Sequence, residues 1–290
     1  MYQIRSYQEA TTLDEAVKLL SGNDNAQIIA GGTDVLIKTR ERKAKYRDLI
    51  GIMRIPELKG VRIEKDGTIF IGAATTFAEV EKAPLVKKYL ATLAFAVGTV
   101  GGPQVRNAGT IGGNVCNGAT SGDSASTLYV FNAIVCIVGE NGNREVPINE
   151  FYLGPGQVDL QSNEIVKGFK IREKDYKDYK GHYIKFSQRR AMDIATLGCA
   201  ILLKEQGGII VDMRIAFGVA GPTPLRATEA ETFAIGKPVS NTVLKEIGVR
   251  CLESAKARDS WRASKAFREQ LIKTLPRKAI EIALGGEGDV

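Results

Sequence analysis

Apolar and polar residues alternate with short periods over the first part of the chain, in a pattern that predicts a small α/β unit. The stretch TLDEAVKLL, with a capping box formed by Thr12 and Glu15, predicts a short amphipathic helix. The apolar run AQIIAGG after it predicts a strand that ends in a glycine turn. A second apolar run, DLIGI at residues 48–52, predicts another strand after a basic segment.

Hairpins and helices are predicted in the middle of the chain. The segment VRIEKDGTIFIGA alternates around Asp66-Gly67, and Asn141-Gly142 marks a second hairpin. Residues Thr76 to Glu79 offer a capping box before a helical region that is interrupted at Pro84. From about Leu85 to Val100 the residues are mostly apolar, which predicts one long helix.

Residues 101–127, GGPQVRNAGTIGGNVCNGATSGDSAST, are rich in glycine and show little periodicity. The apolar residues Val105, Ile111 and Val115 argue against disorder in this segment. A long irregular segment inside a compact domain is usually functional when it is ordered. The sequence therefore predicts a binding loop here.

The last part of the chain is predicted to form an antiparallel sheet followed by helices. EIVKGFKI at residues 164–171 predicts a strand, and the polar segment REKDYKDYKG after it predicts a boundary near residue 176. HYIKFSQ, LGCAILLKE and IIVDMRIAFGVA predict a meander around Gly207-Gly208, with helices from Ala227 onward. The predicted division is into residues 1–58, 59–176 and 177–290.

Charge and composition are those of an ordinary globular protein with a basic surface. Of 290 residues, 25% are charged and 44% hydrophobic, and the net charge is +7 with a pI near 9.1. The basic residues are scattered, apart from the run KTRERKAKYR at Lys38 to Arg47. This favours a solvated face, or a surface for an acidic partner or phosphate, over a nucleic-acid-binding stripe.

The cysteines and the single histidine argue against a metal site in this chain. Cys116, Cys136, Cys199 and Cys251 lie far apart without a CxxC motif, and His182 is not near any of them. Neither a zinc site nor an iron–sulfur cluster has its ligand spacing here. No signal peptide and no apolar run of roughly 20 residues is present, so we expect a cytoplasmic protein with reduced thiols that does not enter a membrane.

Two Gly-Gly turns, GGTD at 31–34 and TIGGN at 110–114, each follow apolar residues. Neither matches GxGxxG or GxxxxGK[ST], which disfavours a Rossmann domain and a P-loop. Either pair alone is best explained as a tight turn. Two pairs with neighbouring Thr, Asp or Asn side chains favour a shared pyrophosphate that is held by backbone N–H groups.

Other polar residues each allow two interpretations. Asp123 either caps a helix that begins near Ser124 or accepts hydrogen bonds from a ribose or ribityl hydroxyl. Lys185 and the pair Arg189-Arg190 alternate as on a strand, which fits solvated charge or a flavin contact. His182 is predicted to lie at the surface of a polar linker. Cys116 is either a small buried residue or an exposed thiol near a redox site.

AGGTD at 30–34 and TIGGN at 110–114 resemble the paired FAD motifs of the flavoprotein subunits of molybdenum hydroxylases. The resemblance extends over nearly the whole chain and is strongest to the FAD-binding subunits of bacterial xanthine dehydrogenases. Further matching segments are GPQVRN (102–107), GDSA around Asp123, RRAMDIATLGCA (189–200), AFGVAGPTPLR (216–226) and SWRASKAFR (260–268).

The resemblance implies an α+β fold of the vanillyl-alcohol-oxidase (PCMH) type. Two α/β subdomains that clasp FAD, residues 1–58 and 59–176, would be followed by a C-terminal domain with a small antiparallel sheet and helices. It implies no catalytic residue and no metal ligand in this chain, and no iron–sulfur insertion within residues 116–140. The implied FAD-binding residues are Gln27, Ile28, Ile29, Ala30, Gly31, Gly32, Thr33, Asp34, Gly109, Thr110, Ile111, Gly112, Gly113, Asn114, Asp123, Ile165 and Lys185.

The resemblance also implies a function in electron transfer. The implied substrate is xanthine, which would be oxidised at a molybdopterin-binding partner subunit. Its electrons would pass through [2Fe–2S] clusters on another partner chain to non-covalent FAD on this chain, and then to NAD. Two alternatives remain open. One is the same subunit type in a nicotinate, aldehyde or carbon monoxide dehydrogenase; the other is a non-redox nucleotide-binding module.

Overall fold

The computed structural model describes residues 3–43 and 47–286 of the chain. The strands in these residues are β1 (Ser6–Glu9), β2 (Ala26–Ile29), β3 (Asp48–Gly51), β4 (Val61–Ile63), β5 (Ile69–Gly72), β6 (Ile134–Gly139), β7 (Gly142–Pro147), β8 (Tyr152–Gly154), β9 (Gln157–Val158), β10 (Glu164–Ile171), β11 (Lys180–Phe186), β12 (Leu197–Gln206), β13 (Ile209–Gly218) and β14 (Leu225–Arg226). The helices are α1 (Leu13–Ser21), α2 (Val35–Arg40), α3 (Phe77–Lys82), α4 (Pro84–Tyr89), α5 (Ala91–Gly98), α6 (Pro103–Ala108), α7 (Ile111–Cys116), α8 (Asp123–Val130), α9 (Ile148–Phe151), α10 (Glu173–Tyr176), α11 (Thr228–Ala234), α12 (Asn241–Ser254) and α13 (Lys265–Ala283).

The N-terminal unit is a three-stranded parallel sheet in the order β1-β3-β2, with α1 and α2 in the crossovers. This confirms the predicted small α/β unit. Thr12 caps α1 by accepting a hydrogen bond from the Glu15 amide at 3.2 Å, as predicted. The Glu15 carboxylate, however, binds Thr11 rather than Thr12, so only half of the predicted capping box forms. The middle of the basic segment, residues 44–46, lies outside the described residues.

The central sheet is antiparallel, with the strand order β4-β5-β10-β6-β7. Both predicted hairpins are confirmed, since β4 pairs with β5 across Asp66-Gly67 and β6 pairs with β7 across Asn141-Gly142. The predicted capping box at Thr76 is also confirmed, because Thr76 and Glu79 exchange side-chain-to-backbone hydrogen bonds at the start of α3. Local turn and cap chemistry therefore sets these elements.

The prediction of one long helix from Leu85 to Val100 is wrong. The chain leaves helical geometry at Leu90, with φ −127° and ψ 42°, and this residue separates α4 from α5. Leu90 is fully buried, and the bend lets α5 pack against α3, α8 and β11. Tertiary packing of the apolar residues therefore decides where the helix is interrupted, although their sequence favours one continuous helix.

The prediction that residues 101–127 are irregular is also wrong, because α6, α7 and the start of α8 occupy much of this segment. Pro103 opens α6, and the Thr110 hydroxyl caps α7 by accepting from the Gly113 amide at 3.1 Å. A Cβ atom at Gly112 would lie 2.6 Å from the Ala73 carbonyl oxygen. This glycine permits close packing of a short helix, which sequence periodicity does not reveal.

The C-terminal sheet is the predicted antiparallel meander, in the order β11-β12-β13-β14, followed by α11, α12 and α13. Its two faces belong to different cores. Ile201 and Ile215 face the C-terminal helices, whereas Tyr183, Ala200 and Leu202 join the core of the central sheet. The sheet is therefore buried on both sides.

The hydrophobic cores cross both predicted boundaries. Ala74 and Ile165 pack in the core of the N-terminal unit, and Tyr183 packs in the core of the central sheet. The division at residues 58 and 176 stays a prediction. Within residues 3–43 and 47–286, no helix combines the length and the apolarity that crossing a bilayer requires.

A buried ion pair joins the C-terminal sheet to the central unit. The Asp123 carboxylate at the start of α8 accepts hydrogen bonds from the Lys185 ammonium group at 2.8 Å and the Tyr183 hydroxyl at 2.7 Å. Lys185 also donates to the Thr99 carbonyl at 3.0 Å. Both charged side chains are at least nine-tenths buried. Burial raises the pKa of the Asp123 carboxyl, whereas Lys185 and Tyr183 act to lower it.

Replacing Lys185 by Met should destabilise the fold strongly. The Asp123 carboxylate would then be buried without its cationic partner, at a cost of about 3–5 kcal/mol in the free energy of unfolding. The double variant Lys185→Met with Asp123→Asn should recover part of that loss. Urea unfolding of the single and double variants measures both effects.

The matched control is Lys180→Met on the same strand, whose exposed pair with Glu205 spans 3.3 Å. Removing this partner should change the unfolding free energy by less than about 1 kcal/mol. Equal losses for Lys180→Met and Lys185→Met would contradict the structural importance of the buried pair.

Candidate functional site

A cleft of about 680 Å³ lies between the N-terminal unit and the central unit, and both Gly-Gly turns line it. This volume is in the range of small-molecule and cofactor sites. The β8–β9 hairpin adds Leu153, Gln157 and Val158 to its wall. The residues predicted to bind FAD that line the cleft are Gln27, Ile28, Ala30, Gly31, Gly32, Thr33, Asp34, Gly109, Thr110, Gly112, Gly113, Asn114 and Ile165.

The first turn presents a run of backbone amides. Among the described residues, the N–H groups of residues 31–34, between β2 and α2, donate to no acceptor within the chain. Gly32 has a φ of +75°, a conformation that glycine adopts without strain. Successive amides around such a turn form a concave site for anions. The first turn therefore fits the pyrophosphate of a dinucleotide.

The two turns meet through backbone packing. A Cβ atom at Gly31 would overlap the carbonyl group of Ala108, the residue that precedes Gly109. A second contact holds Gly109 itself, because the Phe77 amide donates to the Gly109 carbonyl at 3.0 Å. The absence of a side chain at position 31 therefore brings the two halves of the cleft together.

The second turn is the capped start of α7, with Gly112 and Gly113 inside the helix, so the prediction of a glycine turn at 110–114 is wrong. Its amides are also arranged differently from the prediction that they hold a phosphate. The Ile111 and Gly112 amides already donate to the carbonyl groups of Thr75 and Ala73 at 3.1 and 2.8 Å. The Gly113 amide donates to the Thr110 hydroxyl. What the turn offers the cleft is an open surface, since a Cβ atom at Gly113 would meet only the Thr110 hydroxyl oxygen, at 3.0 Å.

Asn114 adds a side chain that is oriented by its neighbour. Its Oδ1 atom accepts a hydrogen bond from the Ser124 hydroxyl at 2.7 Å. The amide Nδ2 group is thereby left as the donor on a residue that lines the cleft. The second turn thus contributes an oriented side-chain donor as well as its open surface.

The remaining predicted residues do not line the cleft. Ile29 lies on β2 beside Gly32, and Ile111 is fully buried in the core of the central unit. Asp123 and Lys185 bind each other at the junction with the C-terminal sheet, so a direct FAD contact of either stays a prediction. The interpretation of Asp123 as a helix cap is wrong, because α8 begins at Asp123 itself and Gly122 holds the cap position.

Two polar residues in the cleft were missed as site residues by sequence reasoning. Lys38 on α2 and Asn117, directly after α7, both line the cleft. The Lys38 ammonium group donates to Asn117 Oδ1 at 2.7 Å. The sequence carries a signal for Lys38, because this residue begins the basic run whose expected roles include binding an acidic partner or phosphate. Nothing in the sequence marks Asn117, which is far from Lys38 along the chain.

The other candidate residues either lie away from the two turns, as His182, Arg189 and Arg190 do, or have an unreactive side chain, as Cys116 does. His182 lies on β11, half-buried against the Phe95 ring at 4.8 Å, so its prediction as a surface linker residue is wrong. Burial lowers the pKa of His182. Arg189 and Arg190 follow the end of β11 and are exposed, so the strand prediction is wrong for them. Cys116 lines the cleft, and burial raises the pKa of its thiol to about 12.

Metal chemistry has no evident ligand set in the part of the chain that the structure describes. No group of three or more His, Cys, Asp or Glu side chains there is placed to hold a metal ion. The cysteines are separate free thiols, three of them buried. The amides of residues 31–34 and the Asn114 side chain are donors that suit the cleft to an anionic ligand.

Comparison with known families adds independent evidence to this geometry. Residues 2–171 match the FAD binding domain in molybdopterin dehydrogenase, and residues 182–283 match the CO dehydrogenase flavoprotein C-terminal domain. The chain is 40% identical over 288 residues to the xanthine dehydrogenase FAD-binding subunit of Escherichia coli O157:H7, covering 99% of each. It is 32% identical to the glyceraldehyde dehydrogenase medium chain of Sulfolobus acidocaldarius, covering 95% of this chain and 97% of the relative.

Solved structures share the fold over its full length. A chain of carbon monoxide dehydrogenase from Hydrogenophaga pseudoflava superposes with a TM-score of 0.92 at 30% identity, with 98% of each chain covered. Quinoline 2-oxidoreductase from Pseudomonas putida 86 gives a TM-score of 0.92 at 24% identity, covering 98% of this chain and 99% of the other, which shows the fold alone. These likenesses confirm the predicted α+β fold with a small antiparallel sheet in its C-terminal region. From the family models and the full-length relatives together, the chain belongs to the family of FAD-binding subunits of molybdenum hydroxylases.

Proposed function

We propose that this chain carries non-covalent FAD in a xanthine dehydrogenase complex and passes electrons from partner-chain [2Fe–2S] clusters to NAD. The observation that supports the choice of xanthine is the full-length, 40% identity to a xanthine dehydrogenase FAD-binding subunit. The family's FAD function and the cleft between the two turns support the cofactor site. Xanthine itself would bind to the molybdopterin subunit and not to this chain.

In this proposal the residues of the chain bind and orient the cofactor. The amides of residues 31–34 donate to the pyrophosphate, the Thr33 hydroxyl adds a donor, and the open surface at Gly113 lets the phosphate groups approach the second turn. The side chains of Leu153 and Val158 cover apolar parts of the ligand. When bound, FAD supplies the electron chemistry, accepting single electrons on one side and delivering hydride on the other.

The molybdopterin and iron–sulfur centres belong to partner chains in this proposal. Flavin alone does not readily hydroxylate an aromatic heterocycle with water as the oxygen source, so other centres are required. The wide spacing of the cysteines in this sequence does not supply their ligands. The basic surface suits partners of complementary charge.

One alternative, the same subunit type in another dehydrogenase complex, has specific support. The 32% identity to a glyceraldehyde dehydrogenase medium chain favours an aldehyde as a second candidate substrate of the complex. Nicotinate and carbon monoxide dehydrogenases also have FAD or medium subunits similar to this chain, at 32% and 30% identity. A non-redox nucleotide-binding module would use the same first turn without electron transfer. A colourless preparation that still binds ADP favours that module.

The flavin should be released by acid. A covalent link through Cys116 would need its thiolate, and burial raises the pKa of that thiol to about 12. The purified chain should be yellow and bleach with dithionite, and acid precipitation should leave the flavin in the supernatant. Yellow colour that stays with the washed pellet would contradict the proposal.

Alanine substitutions at the two glycines of the second turn should affect different properties, one the affinity for FAD and the other the stability of the fold. Gly113→Ala places a methyl group at the open surface of the cleft and should weaken FAD binding about tenfold, with stability within about 0.5 kcal/mol of wild type. Gly112→Ala meets the Ala73 carbonyl and should destabilise the fold by about 1–3 kcal/mol. Flavin fluorescence titration and thermal unfolding measure the two effects.

The control for Gly113→Ala is Gly22→Ala, another exposed glycine that has a negative φ and lies outside the cleft lining. This variant should bind FAD as wild type does. If Gly113→Ala also binds FAD with wild-type affinity, the second turn does not approach the cofactor.

Activity should depend on partner chains. The purified subunit should transfer electrons from NADH to an artificial dye but form no NADH from xanthine and NAD⁺. Adding the iron–sulfur and molybdopterin chains should restore xanthine-dependent NADH formation, which absorbance at the NADH band follows. Replacing xanthine with glyceraldehyde tests the alternative substrate. Steady xanthine oxidation by the partner-free chain would refute the proposal that the molybdopterin and iron–sulfur centres lie on partner chains.

A further inference from the structure

The cleft has an unusual charge distribution for a site that is proposed to bind a negatively charged cofactor. Its lining contains the acidic residues Asp24, Asp34 and Glu164, and Lys38 is the cationic side chain among the described residues that line it. Glu164 is bound by Arg144 through two hydrogen bonds of 2.7 Å, so its charge is largely offset. Asp34, in contrast, lies in the first turn itself. A phosphate group there meets a like charge unless a cation is close.

Lys38 is held beside that carboxylate by a residue from the other half of the cleft. Its ammonium group donates to Asn117 Oδ1 at 2.7 Å, and Asn117 Nδ2 donates to Asp34 Oδ1 at 3.3 Å. Lys38 and Asp34 belong to the N-terminal unit, whereas Asn117 follows α7 in the central unit. The amide therefore bridges the two units and fixes the position of the lysine.

We propose that Lys38 is the cation that balances the charge of the FAD pyrophosphate, and that Asn117 positions it. This inference rests on the proposed FAD function. Asn117 is suited to the role because its amide satisfies both the lysine and Asp34 without adding a charge of its own. A lysine acts on phosphate as a point charge, so it can contribute without a single fixed contact geometry.

The test is equilibrium binding of FAD, ADP and riboflavin to the flavin-free full-length chain. Lys38→Met should weaken FAD and ADP binding about tenfold, because both ligands carry a pyrophosphate, and leave riboflavin unchanged. Lys38→Arg should retain most of the affinity. Arg40→Met is the matched control, since Arg40 is exposed on the same helix and does not line the cleft. It should bind all three ligands as wild type does.

Asn117→Asp and Asn117→Leu together separate charge from bridging. Both variants lose the hydrogen bond that Asn117 donates to Asp34, but only the aspartate brings a negative charge beside Lys38. If charge matters, FAD and ADP should bind about tenfold more weakly to Asn117→Asp than to Asn117→Leu. If Asn117 only ties the two units together, the two variants should bind both ligands equally. The salt dependence of ADP binding should also become weaker in Lys38→Met than in wild type.

The outcomes distinguish this inference from the proposed function. Unchanged FAD and ADP affinity in Lys38→Met, or an equal loss for riboflavin, overturns the role of Lys38 while FAD binding by wild type stands. A wild-type chain that binds neither FAD nor ADP overturns both. If Lys38→Met does not fold, the comparison of Asn117→Asp with Asn117→Leu decides the matter by the same titrations, with their melting temperatures as the folding control.

Discussion

One backbone contact, between Gly31 and the carbonyl group of Ala108, sets the distance between the two halves of the cleft. A side chain at position 31 would overlap that carbonyl, so the first turn can lie against the second unit only as glycine. Because Gly31 is fixed in this way, the amides of residues 31–34 are held at the cleft without acceptors in the described chain. The binding site is thus a consequence of how the two units pack.

The second turn and the C-terminal sheet support that arrangement in different ways. The amides of Ile111 and Gly112 donate to carbonyl groups of the central unit and so attach α7 to it. The second turn therefore contributes a fixed surface to the cleft, and few backbone donors. Its Asn114 is oriented by Ser124, the residue that follows Asp123. Asp123 binds Lys185 on β11, so a buried ion pair holds α8, the helix that also carries Ser124. The C-terminal sheet therefore stabilises the cleft without lining it.

Sequence reasoning succeeded where structure follows from neighbouring residues. The caps at Thr12 and Thr76, the two hairpins and the first glycine turn depend on local chemistry, and all lie where the pattern predicted. The second Gly-Gly pair lies in a helix instead of a turn, because the Thr110 cap starts α7 there. It failed at Leu90, where burial among distant helices breaks an apolar helix. It also failed to find the contacts of Lys38 with Asn117, or to pair Asp123 with Lys185, because only the folded chain brings these residues together.

The most direct test of the first turn as the phosphate site is hydrogen exchange with and without ADP. Mass spectrometry of peptides that cover residues 27–36 and 109–116 reports on the two turns separately. ADP should strongly slow exchange in the first peptide, because its amides donate to no acceptor in the described chain, and change the second much less, because the amides of residues 111–113 are already bonded. Protection of the second peptide alone would contradict the assignment of the pyrophosphate to the first turn.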